Sequence, residues 1–408
     1  MNHFLKLIIY AFVISFVMPG VALAQKKFKL EAYSHGGKEY NIFKSPERLF
    51  DRPTGQYADE DSLLVSDFFV DFGYDAKYST KKKKKYYFEV GSDFWYRKYF
   101  EQTNNNQNIL SFNTMYEKVL GKKVSLGVEY DFSWNNKIGT SVSGDELLRS
   151  FKYLGNRADL YVEYRPNKKL TTALLGAYQY KHYYEDTTDL PLDHVNMDAN
   201  FLLEYELNKA NAVVVDAEFT DRKYKYYPAA NQKGNRVVEY NHAGNLIDGY
   251  PLRHFQYYKF ALSYAYKPAK RLLLSPSFNY TIRDDLYEDY YSYTSYSPGF
   301  KVRYLGKKFY AMASAGYRQV KYEQRYAYTI IENTDLLTYD YLKYKVKLKY
   351  KVFNPVELFF NFSMDNRDAN TELEHARTRR PYNNYEFLFG VNVEVFDYKS
   401  KKSKDKKR

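Results

Sequence analysis

The chain has 408 residues, a formal net charge of +13 at pH 7, 48 tyrosines, 29 phenylalanines and no cysteine. The lack of cysteine excludes disulfides and lipidation at a signal-peptide cysteine. Mean hydropathy is −0.66 and charges interrupt every apolar stretch beyond residue 24, which excludes membrane-crossing helices but not a barrel, whose strands are only half apolar.

Residues 1–24 read as a secretory signal peptide. Lys6 precedes an apolar run from Leu7 to Met18, followed by Pro19-Gly20 and the small-x-small end Ala22-Leu23-Ala24. The run is short for a spanning anchor. From there to residue 398 no linker divides the chain, and one domain is expected.

After residue 62 the chain alternates apolar and polar residues with a period of two. Residues 195–208 put Val195, Met197, Ala199, Phe201, Leu203, Tyr205 and Leu207 on one face and Asn196, Asp198, Asn200, Leu202, Glu204, Glu206 and Asn208 on the other. A period of two is a strand with one apolar and one polar face. Such strands are expected at 64–79, 86–100, 109–120, 124–135, 148–165, 170–184, 195–208, 212–227, 254–267, 271–284, 299–305, 309–323, 336–352, 356–367 and 385–398. The frequent aromatic residues suit strands.

The connections alternate without a break between short and long. The short ones are 81–85, 121–123, 166–169, 209–211, 268–270, 306–308 and 353–355. The long ones centre on 101–108, 137–147, 186–194, 228–253, 285–298, 324–335 and 368–384. An up-and-down barrel does this, with tight periplasmic turns and longer loops outside. The strand at 64–79 ends in a short turn, so an earlier strand must bring the chain up, and Phe28 to Tyr33 alternates suitably. The fold expected is an all-β, transmembrane antiparallel barrel over 25–398. It has sixteen strands, with 34–62 as a long loop or plug and 399–408 as a basic, disordered tail. The alternative is fourteen strands with 25–62 as a periplasmic arm or plug.

Aromatic residues gather where strands should meet the two membrane interfaces. Tyr86, Tyr164, Tyr205, Tyr266, Phe309, Tyr350 and Tyr398 lie near short turns. Tyr96, Tyr99, Tyr180, Tyr184, Tyr226, Tyr258, Tyr317, Tyr339 and Tyr385 lie near long loops.

The chain resembles the broad group of Gram-negative outer-membrane porin-like β-barrels. The hairpin phrases YVEYRPNKKLTTALLGAYQY (161–180) and YAYKPAKRLLLSPSFNY (264–280) carry the resemblance. So does the final strand FLFGVNVEVF (387–396), with Gly390, Val393 and Val395 at the steps of that group's C-terminal assembly signal. Two departures are Leu388, where a polar residue is usual, and Asp397, Tyr398 and a basic tail in place of a terminal aromatic. The resemblance implies export to the outer membrane by the barrel-assembly machinery, contact with outer-membrane lipid, and a monomeric or trimeric assembly.

The polar face divides by charge. Early strands carry Asp67, Asp71, Asp75, Glu129, Asp131, Asp198, Glu204, Asp216 and Glu218, with Arg97, Arg157, Arg165, Lys181 and Arg222 among them. From 254 to 352 the face is nearly all basic: Lys259, Lys267, Arg283, Lys301, Arg303, Arg318, Lys343, Lys345, Lys347 and Lys349. Charges on lipid-embedded strands must point inward, since outward ones cost about 2–4 kcal/mol at mid-membrane. The two stretches therefore predict an acidic and a basic wall, and a field across the lumen that filters charged solutes. A wet lumen held by cross-strand ion pairs, with no transport role, is the plainer alternative.

The function expected is a pore for passive diffusion of small hydrophilic solutes, with anions favoured by the basic wall. Two other readings are an export barrel for a surface polysaccharide or polymer, and a non-conducting structural or adhesive barrel using the Tyr-rich stretch 285–299. Catalysis is not expected, because the histidines His35, His182, His194, His242, His254 and His375 are scattered over loops and strand ends. No metal-ligand spacing or nucleotide-binding loop occurs, and no cofactor is expected. Much of the positive charge sits in turns such as Lys81 to Lys85 and in the tail, with no stacking groove, so nucleic acid is not an expected partner.

Overall fold

The computed structural model describes residues 26–42, 50–51, 56–57, 64–80, 85–140, 146–150, 152–184, 192–238, 249–327, 335–370 and 381–399. The expected signal peptide and the tail beyond Lys399 lie outside the described residues.

Sixteen strands follow one another: β1 (Lys26–Tyr40), β2 (Asp67–Thr80), β3 (Tyr86–Tyr99), β4 (Gln107–Leu120), β5 (Val124–Thr140), β6 (Tyr153–Tyr164), β7 (Leu170–Tyr183) and β8 (His194–Asn208), then β9 (Asn211–Pro228), β10 (Leu252–Ala269), β11 (Leu272–Asp285), β12 (Tyr293–Leu305), β13 (Phe309–Tyr326), β14 (Leu336–Phe353), β15 (Val356–Ala369) and β16 (Tyr382–Lys399). Each pairs antiparallel with its neighbour in sequence. β1 also pairs with β16, from Lys27 opposite Lys399 to Tyr40 opposite Tyr385. The sheet thus closes into a sixteen-stranded barrel and leaves no edge strand to template aggregation. A two-residue ribbon, Phe50–Asp51 with Gln56–Tyr57, stands apart, and Glu146–Ser150 pairs with the far end of β5.

Among the boundaries that differ from the sequence reading, three bear on the course of the chain. β1 runs on to Tyr40, so the stretch read as loop or plug from residue 34 begins as strand and leaves the barrel only at Asn41. Gly36 and Gly37 hide the alternation there. β12 begins at Tyr293 rather than 299, so half of the Tyr-rich stretch is barrel wall. β6 begins at Tyr153, because residues 146–150 extend the β5 hairpin beyond the barrel instead of joining the ring.

Short connections are tightened by local chemistry. Gly121 takes φ +71 in the β4–β5 turn, a conformation costly for a residue with a Cβ. Asn167 accepts the Lys169 and Leu170 amides at 2.8 and 3.0 Å in the β6–β7 turn.

The strand period sorts side chains into two populations. Outward, Leu160 is 64% exposed, Leu174 61% and Phe389 59%, and Phe68, Tyr116, Val128, Phe201, Leu262, Phe300, Leu342 and Phe353 are also exposed. Apolar outward residues lie on every strand. A belt of this kind far exceeds the apolar patches of a soluble monomer. Two of the tyrosines read as interface residues turn the other way: Tyr99 and Tyr339 are buried on the inner face, because their position in the alternation is inward.

Inward packing is organised by rings laid over glycines. Tyr33 lies opposite Gly73, and its hydroxyl donates to the Phe94 carbonyl on the strand beyond at 3.2 Å. A Cβ on Gly73 would meet that hydroxyl at 2.6 Å. His35 lies over Gly390 and stacks on Phe359 with centroids 4.6 Å apart. Phe69 lies over Gly37 in the same way and joins Tyr99, Phe359 and Leu388 in a cluster, against which Ile42 packs from just past the end of β1. The first connection therefore starts at the inner wall, where the Ile42 amide donates to the Val65 carbonyl at 2.9 Å.

Candidate functional site: the lumenal wall

The register places the charged residues named above, Lys267 apart, on the same face of the sheet as the inner rings. What they do there differs.

Two of the acids do not line open space. Asp67 is 3% exposed, and its Oδ2 accepts the Glu101 and Gln102 amides at 2.9 and 2.8 Å, which fixes the start of the β3–β4 connection. Asp71 is 2% exposed and takes a two-pronged contact from Arg97, Nε to Oδ1 at 2.8 Å and Nη2 to Oδ2 at 2.9 Å. Arg97 Nη1 also reaches Glu386 at 2.7 Å and Glu39 at 3.2 Å, and Tyr99 donates to Glu39 at 2.6 Å. The guanidinium lies 3.7 Å over the Phe69 ring. This knot joins β1, β2, β3 and β16 and is architectural. The sequence reading grouped both acids with the pore lining because alternation reports which face a residue occupies and not whether the face is covered.

The other acids form a wall centred on β5. Asp75 lies opposite Asp93 on one side and Glu31 on the other. Glu129 lies opposite Asp159, and Asp131 opposite Arg157. Arg157 is shared between Asp159 at 2.8 Å and Asp198 at 2.7 Å. Asp75, Glu129 and Asp131 make no ion pair among the described residues. Asp216 accepts from Asn200 at 3.0 Å, and Glu218 is held by Lys259 at 2.5 Å. Glu204 lies nearer the short turns, beside a recess of about 580 Å³ that also takes Lys122, Lys123, Arg165, Lys168 and Lys169.

The basic wall is centred on β13. Lys301 of β12, Ser314 of β13, Lys345 of β14 and Ser363 of β15 fall in one row across the strands. Arg303, Met312, Lys347 and Asn361 form the next. No carboxylate stands in either row, and Lys301, Arg303, Lys345 and Lys347 make no ion pair among the described residues. The ends of the lysine ladder are neutralised: Lys343 meets Asp365 at 3.3 Å and Lys349 meets Glu357 at 2.7 Å. Lys267 is exposed at the short-turn end. β5 and β13 are eight strands apart either way round the ring, so the two walls face each other across the lumen.

Arg283 and Arg318, expected as free lining, are instead packed among rings near the long-loop end. Arg283 lies 4.3 Å from the centre of the Tyr293 ring and 4.9 Å from that of Phe255, and its Nε donates to the Tyr291 carbonyl at 2.7 Å. Arg318 donates to the Tyr293 hydroxyl at 3.3 Å. Arg253, Arg325 and Arg367 join the same aromatic lining, and the sequence reading missed all three. The signal was present only in part, as in the same-face run Arg253, Phe255 and Tyr257 of β10. The rings each arginine meets, however, come from other strands.

No protein family and no curated protein matches the chain. It is similar to several solved structures. OccAB1 of Acinetobacter baumannii is 11% identical, with 93% of this chain and 100% of that one covered and a TM-score of 0.48. A bacterial polysaccharide outer membrane secretin is 12% identical over 90% and 98%, with a TM-score of 0.42. A loop-deleted OmpT of Vibrio cholerae is 9% identical over 90% and 99%, with a TM-score of 0.42. The assignment to a closed barrel stands on this chain's own strand pairing.

Proposed function

We propose that the protein is an outer-membrane pore through which small hydrophilic solutes diffuse passively, with anions favoured along the β12–β14 wall. The apolar outward belt supports a lipid surround, because an outward face of this composition is stable only when covered by hydrocarbon. The alternation of short and long connections then puts the short turns on the periplasmic side. Barrels of this strand number leave an aqueous channel rather than a filled core.

The observation that carries the reading is the facing pair of walls, each keeping charges without partners. A lumen built only for stability would pair them, as Arg97 does. Lys301, Arg303, Lys345 and Lys347 lower the energy of an anion near their side, and the acids across the lumen do the same for the positive end of a dipolar solute.

The test is conductance of the purified protein in a planar bilayer, with the reversal potential read in a potassium chloride gradient. The wild type should show anion preference, and Lys345→Glu with Lys347→Glu should move the reversal potential toward cations. No conductance would refute the pore, and an unmoved reversal potential would refute the role of the basic wall.

A further inference from the structure

Near the long-loop end, three arginines converge on one ring. Arg253, Arg283 and Arg325 place their guanidinium carbons 4.3, 5.8 and 5.9 Å from the centre of Tyr291. Arg253 also faces Tyr227 at 4.4 Å, and Arg325 faces Tyr322 at 5.3 Å. Rings surround these guanidinium groups, and a ring face offers no oxygen to their N–H groups.

Some of those N–H groups are left idle: Arg253 Nε, Arg283 Nη2 and Arg325 Nε are buried and have no hydrogen-bond partner among the described residues. Arg253 and Arg325 make no hydrogen bond or ion pair at all among the described residues. Asp285 lies near Arg253 and Arg283, and its oxygens accept the Tyr287 and Tyr291 amides at 3.4 and 3.2 Å. Among the described residues the three guanidinium groups thus have no ion-pair partner, and the neighbouring Asp285 is committed to backbone amides. A buried charge without a partner is expensive, and a buried guanidinium with idle donors is expensive again. Arg97, on the same inner wall, shows how this fold satisfies an arginine that serves only structure.

We propose that Arg253, Arg283 and Arg325 form a capture site at the external mouth for a small multivalent oxyanion, such as phosphate or a compact polycarboxylate. The planar donors of guanidinium match two oxygens at once, which a row of lysines does not. The site would concentrate the anion above the β12–β14 wall, which then offers weaker single contacts along the passage. The capture site rests on the pore reading for its role, while its binding chemistry can be tested apart from conduction.

The experiment uses the full barrel and inorganic phosphate as the probe. In a bilayer bathed in chloride, phosphate added on the long-loop side should reduce the wild-type current in a saturating way. Arg253→Gln, Arg283→Gln and Arg325→Gln combined should raise the half-blocking concentration at least about tenfold, the loss of one charge-assisted pair. Lys345→Gln with Lys347→Gln should move the reversal potential and raise that concentration by clearly less than the arginine variant does. Calorimetric titration of the detergent-solubilised protein with phosphate reads the site without conduction, so a barrel that binds phosphate but passes no current would sink the pore and keep the site. Arg325→Lys, which keeps the charge and removes the fork, guards against a triple variant that fails to fold and should weaken binding as well. Equal phosphate affinity in wild type and in the arginine variants, or no binding by the wild type, overturns the proposal.

Discussion

Two parts of one inner wall treat arginine in opposite ways. On β3, Arg97 is forked onto Asp71 and tied to Glu39 and Glu386, so a buried positive charge is neutralised by groups from three other strands. On β10 to β13, Arg253, Arg283 and Arg325 lie against tyrosine rings with donors left over and no carboxylate within ion-pairing reach among the described residues. Burial and aromatic surroundings are alike, and the difference is the supply of counter-charge. A buried charge matched from within holds strands together. A buried charge left unmatched is a standing invitation to something from outside.

The comparison breaks most sharply on Arg97. Arg97→Leu strands three carboxylates in a covered interior and should cost about 3–5 kcal/mol of stability, read from the urea midpoint of barrel unfolding in detergent micelles. Arg325→Met should be neutral to within about 1 kcal/mol or stabilising, because the loss of ring contacts is offset by removal of an unpartnered buried charge and no acid is orphaned. If the two variants lose equal stability, the distinction between a structural and an available arginine fails.

Gly37→Val sharpens the packed side. A Cβ at Gly37 meets the Phe69 ring at 2.7 Å and also collides with the Phe387 carbonyl, which is backbone and cannot move aside. A loss of about 1–3 kcal/mol is expected by the same measurement, the range for overpacking. On the open side, Lys345→Gln should change stability by less than about 0.5 kcal/mol, as for an uncrowded surface site. The anion preference itself should shrink between 0.1 and 1 M salt, since the screening length falls from about 10 to about 3 Å. A reversal potential, corrected for activity, that is insensitive to ionic strength would mean that the selectivity does not come from lysines exposed to the lumen.

Much of the barrel was legible in the residues because its physics is local. Alternation along β8 assigns faces without knowledge of any partner strand, and a short–long rhythm of connections demands an even strand number. That reasoning placed β1 correctly but ended it at Tyr33, because Ser34-His35-Gly36-Gly37 shows no apolar alternation. Gly37 is there for Phe69 and for the close approach of β16, which are long-range facts. β12 was shortened for a related reason: Tyr293-Thr294-Ser295-Tyr296-Ser297-Pro298 carries hydroxyls on both faces and reads as loop. The inner charges were found by parity, yet parity could not say that Asp67 and Asp71 are covered or that Arg283 is sandwiched. Coverage depends on side chains arriving from neighbouring strands.

The pairing of β1 with β16 also has a kinetic side. Lys38 lies opposite Phe387, and His35 reaches its place over Gly390 beside Phe359, so the seam joins the two ends of the chain. None of these contacts forms until the last strand arrives, and loop-closure entropy must be met before they repay it. Until then both outer strands carry rows of open backbone groups next to exposed apolar side chains, the state most prone to pairing with a wrong neighbour. Such a seam makes assembly an event decided at its last step, which a cell would have to chaperone rather than leave to chance.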